Sequence, residues 1–160
     1  MNKKSGKAMD ATWDPSWAPD YPVIMWDYNG GNNQLWFWDG NLLRNKYYYN
    51  KVLTISTEDY HKVDVCSMNW GKVYLSETVT GGNNQRWNFH YYGHEIVEII
   101  NNYNSLRLDV CNNNQNIKAR VGGKLKNDGD EQFWKFIYIE PITTTMTKPT
   151  SHSCMYYLST

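Results

Sequence analysis

The sequence lacks an excess of charge of either sign, since 16 Lys and Arg residues balance 16 Asp and Glu residues among 160. A neutral surface supplies no field to attract nucleic acid or an anionic membrane, so we expect neither partner. No apolar run approaches the roughly 20 residues of a membrane helix, and we predict no transmembrane segment. The basic N-terminus also lacks the apolar stretch of a signal peptide.

Signatures of catalysis and metal binding are missing as well. The four histidines show no metal-ligand spacing, and no Cys-x-x-Cys pair, Gly-x-Ser-x-Gly element, phosphate loop or calcium loop is present. We therefore predict no catalytic residue, no metal, no cofactor and no enzymatic activity.

Aromatic residues, in contrast, are abundant, with 8 Trp and 13 Tyr against 4 Phe. Wide rings can fill the core of a β-sheet protein. Because Trp and Tyr also carry a polar edge, they serve equally on binding surfaces. We expect both uses.

A repeated segment dominates the sequence. Residues 30–38, 81–89 and 128–136 read GGNNQLWFW, GGNNQRWNF and DGDEQFWKF, so that a Gln-x-Trp-x-aromatic element recurs about every 50 residues. Upstream of each copy we assign a strand containing an aspartate: residues 9–12 (MDAT), 63–66 (VDVC) and 108–111 (LDVC). In the second repeat the run 52–55 (VLTI) is the alternative, and we prefer Asp64 because the Asp and the following Cys match the third repeat.

Short apolar runs separated by Asn-Gly, Gly-Gly and Asp-Gly pairs predict an all-β chain. One unit of this size cannot bury its own apolar face, so three must share a core. Strand alternation puts the two rings of each element on one face, and we expect all six rings to fill the centre. The six are Trp36, Trp38, Trp87, Phe89, Trp134 and Phe136. We expect the three Gln side chains to be structural, bonding backbone groups that irregular turns leave unpaired.

The Asp-containing strand followed by Gln-x-Trp resembles the repeat of ricin-type (R-type) lectins. The resemblance implies a β-trefoil of three pseudo-symmetric repeats. We expect a lectin-like domain over residues 1–140, with repeats at about 1–46, 47–97 and 98–140, and a Thr/Ser-rich tail over 141–160. That tail is either disordered or a strap beneath the barrel.

The resemblance also implies a shallow sugar pocket made of an Asp from the first strand, an aromatic platform, and the Asn before the Gln. In repeat one these are Asp10, Trp26 and Asn33, with Gln34 beside them. A carboxylate accepts hydroxyl protons, a flat ring stacks on a pyranose, and an amide both donates and accepts. The alternatives are that Trp26 is a capped core ring and Asp10 a turn carboxylate.

The other two repeats match the pocket less well. Repeat two keeps Asp64 and Asn84, but its platform position falls on Ser76 or Glu77. Repeat three keeps Asp109, with Arg120 at the platform position and Glu131 in place of the Asn. We therefore favour one sugar site, in repeat one.

Cysteine is scarce, and Cys66, Cys111 and Cys154 cannot all pair. Cys66 and Cys111 hold equivalent places in two repeats, so we expect small buried thiols and no bond between them. Cys154 is free to pair two chains.

The resemblance implies binding to galactose- or N-acetylgalactosamine-type glycans, on glycoproteins or glycolipids, and a secreted or cell-surface setting. A homodimer or a partner domain would be needed for multivalent binding. The alternative is a trefoil that has lost sugar binding and acts through protein surfaces, as an inhibitor, toxin partner or structural component.

Overall fold

The computed structural model describes residues 1–12, 21–58, 71–137 and 139, which form eleven strands joined by turns and short 3₁₀ segments. All strand pairs among them are antiparallel. The strands are β1 (Ala8–Ala11), β2 (Tyr21–Trp26), β3 (Trp36–Asp39), β4 (Leu42–Asn45), β5 (Lys51–Ile55), β6 (Gly71–Glu77), β7 (Trp87–Gly93), β8 (Ile96–Asn101), β9 (Arg107–Val110), β10 (Val121–Lys124) and β11 (Trp134–Lys135).

The strands follow a threefold pattern. β1 pairs with β2, β5 with β6, and β9 with β10. In each repeat the indole N–H of the Gln-x-Trp tryptophan donates to a carbonyl of the repeat's first strand: Trp36 to Met9 (2.8 Å), Trp87 to Leu53 (2.8 Å) and Trp134 to Leu108 (2.9 Å). The chain is therefore a β-trefoil of three repeats, as predicted.

A buried asparagine lies opposite each of these tryptophans. Trp36 faces Asn45 and Trp87 faces Asn101, and the third partner comes from the N-terminal segment, where Asn2 bridges to Trp134. Each Asn side chain donates to two carbonyls beside the Gln of its repeat, as Asn2 does to Glu131 (2.8 Å) and Phe133 (3.4 Å). Residues at the start of the chain thus complete the third repeat.

The prediction of a six-ring core is confirmed for the three tryptophans of the Gln-x-Trp elements and wrong for one of the outer rings. Trp36, Trp87 and Trp134 are at most 1% exposed. The outer rings form a second layer, in which Phe89 contacts Trp38 and Phe136, each with ring centroids 5.6 Å apart. Phe89 remains 50% exposed, and every residue of β7 from 88 to 92 is likewise exposed.

The strand chosen for repeat two requires correction. Because Trp87 bonds Leu53, the first strand of this repeat is β5, and Thr54 stands where repeats one and three have Asp10 and Asp109. The alternative run 52–55 was therefore the right one. Asp64 itself lies outside the described residues.

The cysteine prediction also changes. Cys111 is disulfide-bonded and not a free thiol. Its partner is Cys66 or Cys154, and both lie outside the described residues, as does the predicted tail over 141–160. Within the described ranges no helix has the length and apolar character to cross a membrane.

We expect Asn45→Ala to destabilise the fold by about 2–4 kcal/mol, because it leaves several buried backbone groups without a hydrogen-bond partner. The Asn45 amide donates to the Asn33 carbonyl (2.8 Å), and its Oδ1 accepts the N–H groups of Tyr47 (3.0 Å) and Tyr48 (3.2 Å). Chemical denaturation measures the loss. Asn102→Ala, at an exposed position, is the matched control, and equal stability of the two variants would contradict this account.

Candidate functional site

In repeat one, a buried carboxylate lies beneath a polar turn. Asp10, on β1, is 4% exposed. Its Oδ1 accepts the Asn33 side-chain amide at 2.8 Å and its Oδ2 accepts that of Gln34 at 2.9 Å. Both donors lie in the 3₁₀ segment Asn32–Gln34. The predicted association of Asp10, Asn33 and Gln34 is therefore present in the structure.

Gln34 holds this turn against the strand that precedes it. Its Oε1 accepts the Asn29 backbone N–H (2.9 Å) and its Nε2 also donates to the Asp27 carbonyl (3.0 Å). Gln85 and Gln132 make the equivalent bonds, which confirms the structural role predicted for all three. Because Gln34 is fully buried, it positions Asp10 and is not itself presented to a ligand.

Gly31 leaves the space that Asn33 needs. A Cβ at position 31 would lie 2.5 Å from Asn33 Oδ1 and 2.9 Å from Asn29 Oδ1, closer than side-chain carbons approach. Gly30, at φ 77, supplies the left-handed turn before it. The two glycines of the repeated sequence thus shape the rim of the site.

The electrostatic state of Asp10 reflects its burial. Burial raises the pKa of this carboxyl above its usual range, and the bonds from Gln34 and Asn33 oppose that shift. Each carboxylate oxygen has two lone-pair directions and each accepts one amide, so capacity remains for ligand hydroxyls. In its ionised form, Asp10 is therefore a hydrogen-bond acceptor held in a fixed orientation.

Trp26 lies on the same face of the sheet as Asp10. Asp10 pairs with Ile24 and Ala8 pairs with Trp26, and cross-strand partners share a face. The indole is only partly buried, so Trp26 is not a core ring. It fits a platform beside the carboxylate.

Two neighbours of this site were not predicted. The Lys118 ammonium lies 5.9 Å from the Trp26 ring centroid. Asp10 is also among the charges that act on the Tyr48 hydroxyl, whose pKa is raised chiefly by burial. Tyr48 is signalled in the sequence only as part of the run 47–49 (YYY), and Lys118 comes from another repeat with no motif to mark it.

Repeat two builds the same turn without a carboxylate. Gln85 Nε2 donates to the hydroxyls of Thr54 (3.2 Å) and Ser76 (2.9 Å), and the Asn84 amide donates to the Ile55 carbonyl (3.0 Å). The register pairs Val52 with Ser76, as it pairs Ala8 with Trp26, so the platform position is Ser76. Among the described residues this repeat has neither the acid nor the ring of repeat one.

Repeat three keeps the acid but has neither the aromatic ring nor the Asn that accompany Asp10 in repeat one. Arg107 pairs with Lys124, which places Lys124 at the platform position and corrects the prediction of Arg120. Arg120 instead bridges to Ile24 of repeat one. Asp109 Oδ2 accepts a hydrogen bond from Gln132 (2.9 Å), but Oδ1 has no partner among the described residues, because Glu131 replaces the Asn that caps Asp10.

Burial raises the pKa of Asp109 to about 7, a rise supported by the nearby charge of Glu131 and opposed by Gln132, Lys124 and Lys4. Since the unfolded chain ionises near 3.8, the folded state holds more protons between about pH 4 and 7. Stability contributed by this group therefore falls as pH rises across that window.

We expect Asp109→Asn to remove this fall and to be more stable than the parent at pH 7 and above. The difference between the two proteins should grow on the order of 2–4 kcal/mol from pH 4 to 7. Denaturation midpoints measured across that range check it. Parallel pH profiles for parent and variant would show that Asp109 titrates normally.

The sequence of this chain matches one known protein family. The sequence profile of the ricin-type beta-trefoil lectin domain matches residues 1–134. No curated protein sequence matches the chain.

Solved structures resemble the fold closely. A designed threefold-symmetric protein, ThreeFoil, has a TM-score of 0.73 at 24% identity, over 87% of this chain and 96% of the design. The exo-β-1,3-galactanase from Clostridium thermocellum scores 0.70 at 22% identity, over 87% of this chain and 29% of that enzyme. The C-half of an earthworm R-type lectin, solved with GalNAc, scores 0.58 at 19% identity, over 82% of this chain and 91% of the lectin. At these identities the similarity establishes the fold alone.

Proposed function

We propose that this chain, which belongs to the ricin-type β-trefoil lectin domain family, binds galactose- or N-acetylgalactosamine-type glycans through a shallow pocket in its first repeat. Its family domain is a carbohydrate-binding, non-catalytic one. We further propose that the chain binds its ligand without transforming it, and that residues 1–140 form the lectin domain.

The observation that carries the proposal is the intact set of Asp10, Asn33 and Trp26. The carboxylate is fixed by two amides, and an incompletely buried indole lies on the same face two residue pairs along the strands. A pyranose stacked on the indole would present hydroxyls of one edge to Asp10 and Asn33. Charge-assisted bonds to a preorganised carboxylate are stronger than neutral ones.

The choice of sugar is supported by family resemblance. Galactose-type sugars offer an apolar C–H face for Trp26 and adjacent hydroxyls for Asp10. The earthworm lectin named above was solved with GalNAc and the bacterial enzyme is a galactanase, which makes these sugars the first to test. The pocket itself tolerates any pyranose with that pair of features.

We expect Trp26→Ala to weaken galactoside binding about thirtyfold, since a stacked ring of this kind contributes about 2 kcal/mol. Titration calorimetry with methyl β-galactoside measures it. Ser76→Ala, at the equivalent position of repeat two, is the control and should bind as the parent does. Binding that is indifferent to the loss of Trp26 would reject the repeat-one pocket.

We expect one galactoside per chain, because repeats two and three do not combine acid and ring in the described residues. Monosaccharide affinity at one shallow site should lie near ~0.1–1 mM. A single site cannot cross-link cells. Agglutination by protein shown to be monomeric by sedimentation would overturn the one-site count.

Binding should also weaken as pH falls through the raised pKa of Asp10, since protonation replaces an acceptor with a donor on one oxygen. The loss is expected at higher pH than an ordinary aspartate would give. Asp10→Asn should bind weakly at every pH. An affinity that stays flat down to the ordinary aspartate range, measured by calorimetry in matched buffers, argues against Asp10 as the ligand acceptor.

The second candidate function, a protein-binding trefoil without sugar affinity, is favoured by one observation. Within the part of the chain that the structure describes, β7 pairs only with β8, and its Phe89, Tyr91 and Tyr92 side chains are exposed. Exposed rings of this kind are common at protein interfaces. A glycan array on which neither the parent nor Trp26→Ala binds any sugar would favour this function over the first.

A further inference from the structure

We propose that Lys118 makes the repeat-one pocket selective for acidic galactosides, those with a sulfate or carboxylate on the edge of the sugar remote from Asp10. This inference rests on the proposed sugar site and concerns its ligand class. The ammonium comes from repeat three, so the pocket is completed by a residue outside its own repeat.

The strand that carries Trp26 lies between the carboxylate and the ammonium. On one side, β2 pairs with β1, which places Asp10 opposite Ile24. On the other side it pairs with residues 118–120: the Met25 N–H donates to Ala119 (2.7 Å), the Lys118 N–H donates to Met25 (2.8 Å), and Ile24 bridges to Arg120. Neighbouring strands are about 4.8 Å apart. The Lys118 segment and Asp10 therefore lie on opposite sides of β2, with the Lys118 ammonium over the Trp26 ring. A sugar stacked on that ring would have the carboxylate on one side and the Lys118 segment on the other.

The Lys118 ammonium is available to a ligand. Its only contact within the described residues is with the Trp26 ring, 5.9 Å from Nζ to centroid, near the outer limit of a cation–π interaction. Lys7 and Lys51, in contrast, form ion pairs with Asp27 and with Glu77 (2.9 Å). Among the described residues no carboxylate pairs with the Lys118 ammonium, which leaves its positive charge at the platform available to an anionic group.

The backbone of Lys118 is held in an unfavourable conformation. Its φ is 66°, in the left-handed region that a lysine seldom adopts. Such a conformation persists only where surrounding bonds impose it. Here the Lys118 N–H bond to Met25 and the Ala119 N–H bond to Asn116 (3.3 Å) fix the segment, so the ammonium is directed from an ordered position.

The charges also orient the ligand. An anionic substituent near Asp10 would be repelled by the carboxylate, whereas near Lys118 it gains a charge-assisted contact. With the ring hydroxyls facing Asp10, the substituent must project across Trp26. Both sulfated and carboxylated galactosides meet this condition, and their shared feature is the negative charge.

The test compares methyl β-galactoside, its 6-O-sulfate and methyl β-galacturonide on the full chain. For the parent we expect the two acidic sugars to bind roughly two- to fivefold more tightly than the neutral one at low salt, with the preference screened away at high salt. Lys118→Gln should abolish the preference, so that the two acidic sugars bind no more tightly than the neutral one. Lys118→Arg should retain it.

Two further variants keep the outcome interpretable. Lys118→Gly removes the ammonium and relaxes the left-handed backbone, so a loss of preference in this variant cannot be ascribed to misfolding. Lys126→Ala removes an exposed lysine paired with Asp128 (2.8 Å) and should keep the preference.

Equal binding of neutral and acidic galactosides by the parent would overturn the inference while leaving the proposed sugar site standing. So would a Lys118→Gln variant that binds all three sugars more tightly, because Lys118 would then only obstruct the indole. If the parent binds none of the three, the proposed function fails first, and the inference with it.

Discussion

The molecule depends on three indole N–H bonds. Each Gln-x-Trp tryptophan bonds a carbonyl of the first strand of its own repeat and packs its ring at the common core. A buried asparagine opposite each ring then bonds the carbonyls of the neighbouring turn. Since a buried polar group without a partner is costly, this arrangement fixes the distance between the first strand and the turn in every repeat. The spacing between the first strand and the turn sets where the surface side chains of these two segments lie relative to each other.

The candidate site of repeat one is built on the same framework. Gln34 ties the turn to the strand before it, as its counterparts do, and its amide also meets Asp10. In repeat two the amide meets Thr54, and in repeat three it meets an aspartate that lacks the second donor. The scaffold therefore tolerates three different groups at one position, and only one of them is presented with a ring and an amide. The fold of a repeat therefore does not depend on which group occupies this position.

The spacing of the Gln-x-Trp elements predicted the threefold repeat, because such spacing is local information. The trefoil and the association of Asp10 with Asn33, 23 residues apart, were implied by the resemblance to R-type lectins. The sequence misassigned repeat two, since the Asp64 pattern copied that of repeat three and masked the strand containing Thr54. It placed Arg120 at a platform where the register puts Lys124. Lys118 was missed because its proximity to Trp26 arises from pairing between repeats, which no local pattern encodes. The exposure of Phe89 could likewise not be predicted, because the motif that contains it is shared by all three repeats.

The pairing of Asn2 with Trp134 has a consequence for how the chain acquires its structure. The third repeat is completed by the segment around Asn2, so this contact joins residues 132 positions apart in the sequence (134 − 2). During synthesis Asn2 therefore stays unpaired until the ribosome has released Trp134. A contact with this large a sequence separation raises the contact order of the fold, and a high contact order favours slow folding. Two repeats can condense early, while completion of the trefoil is necessarily a late event.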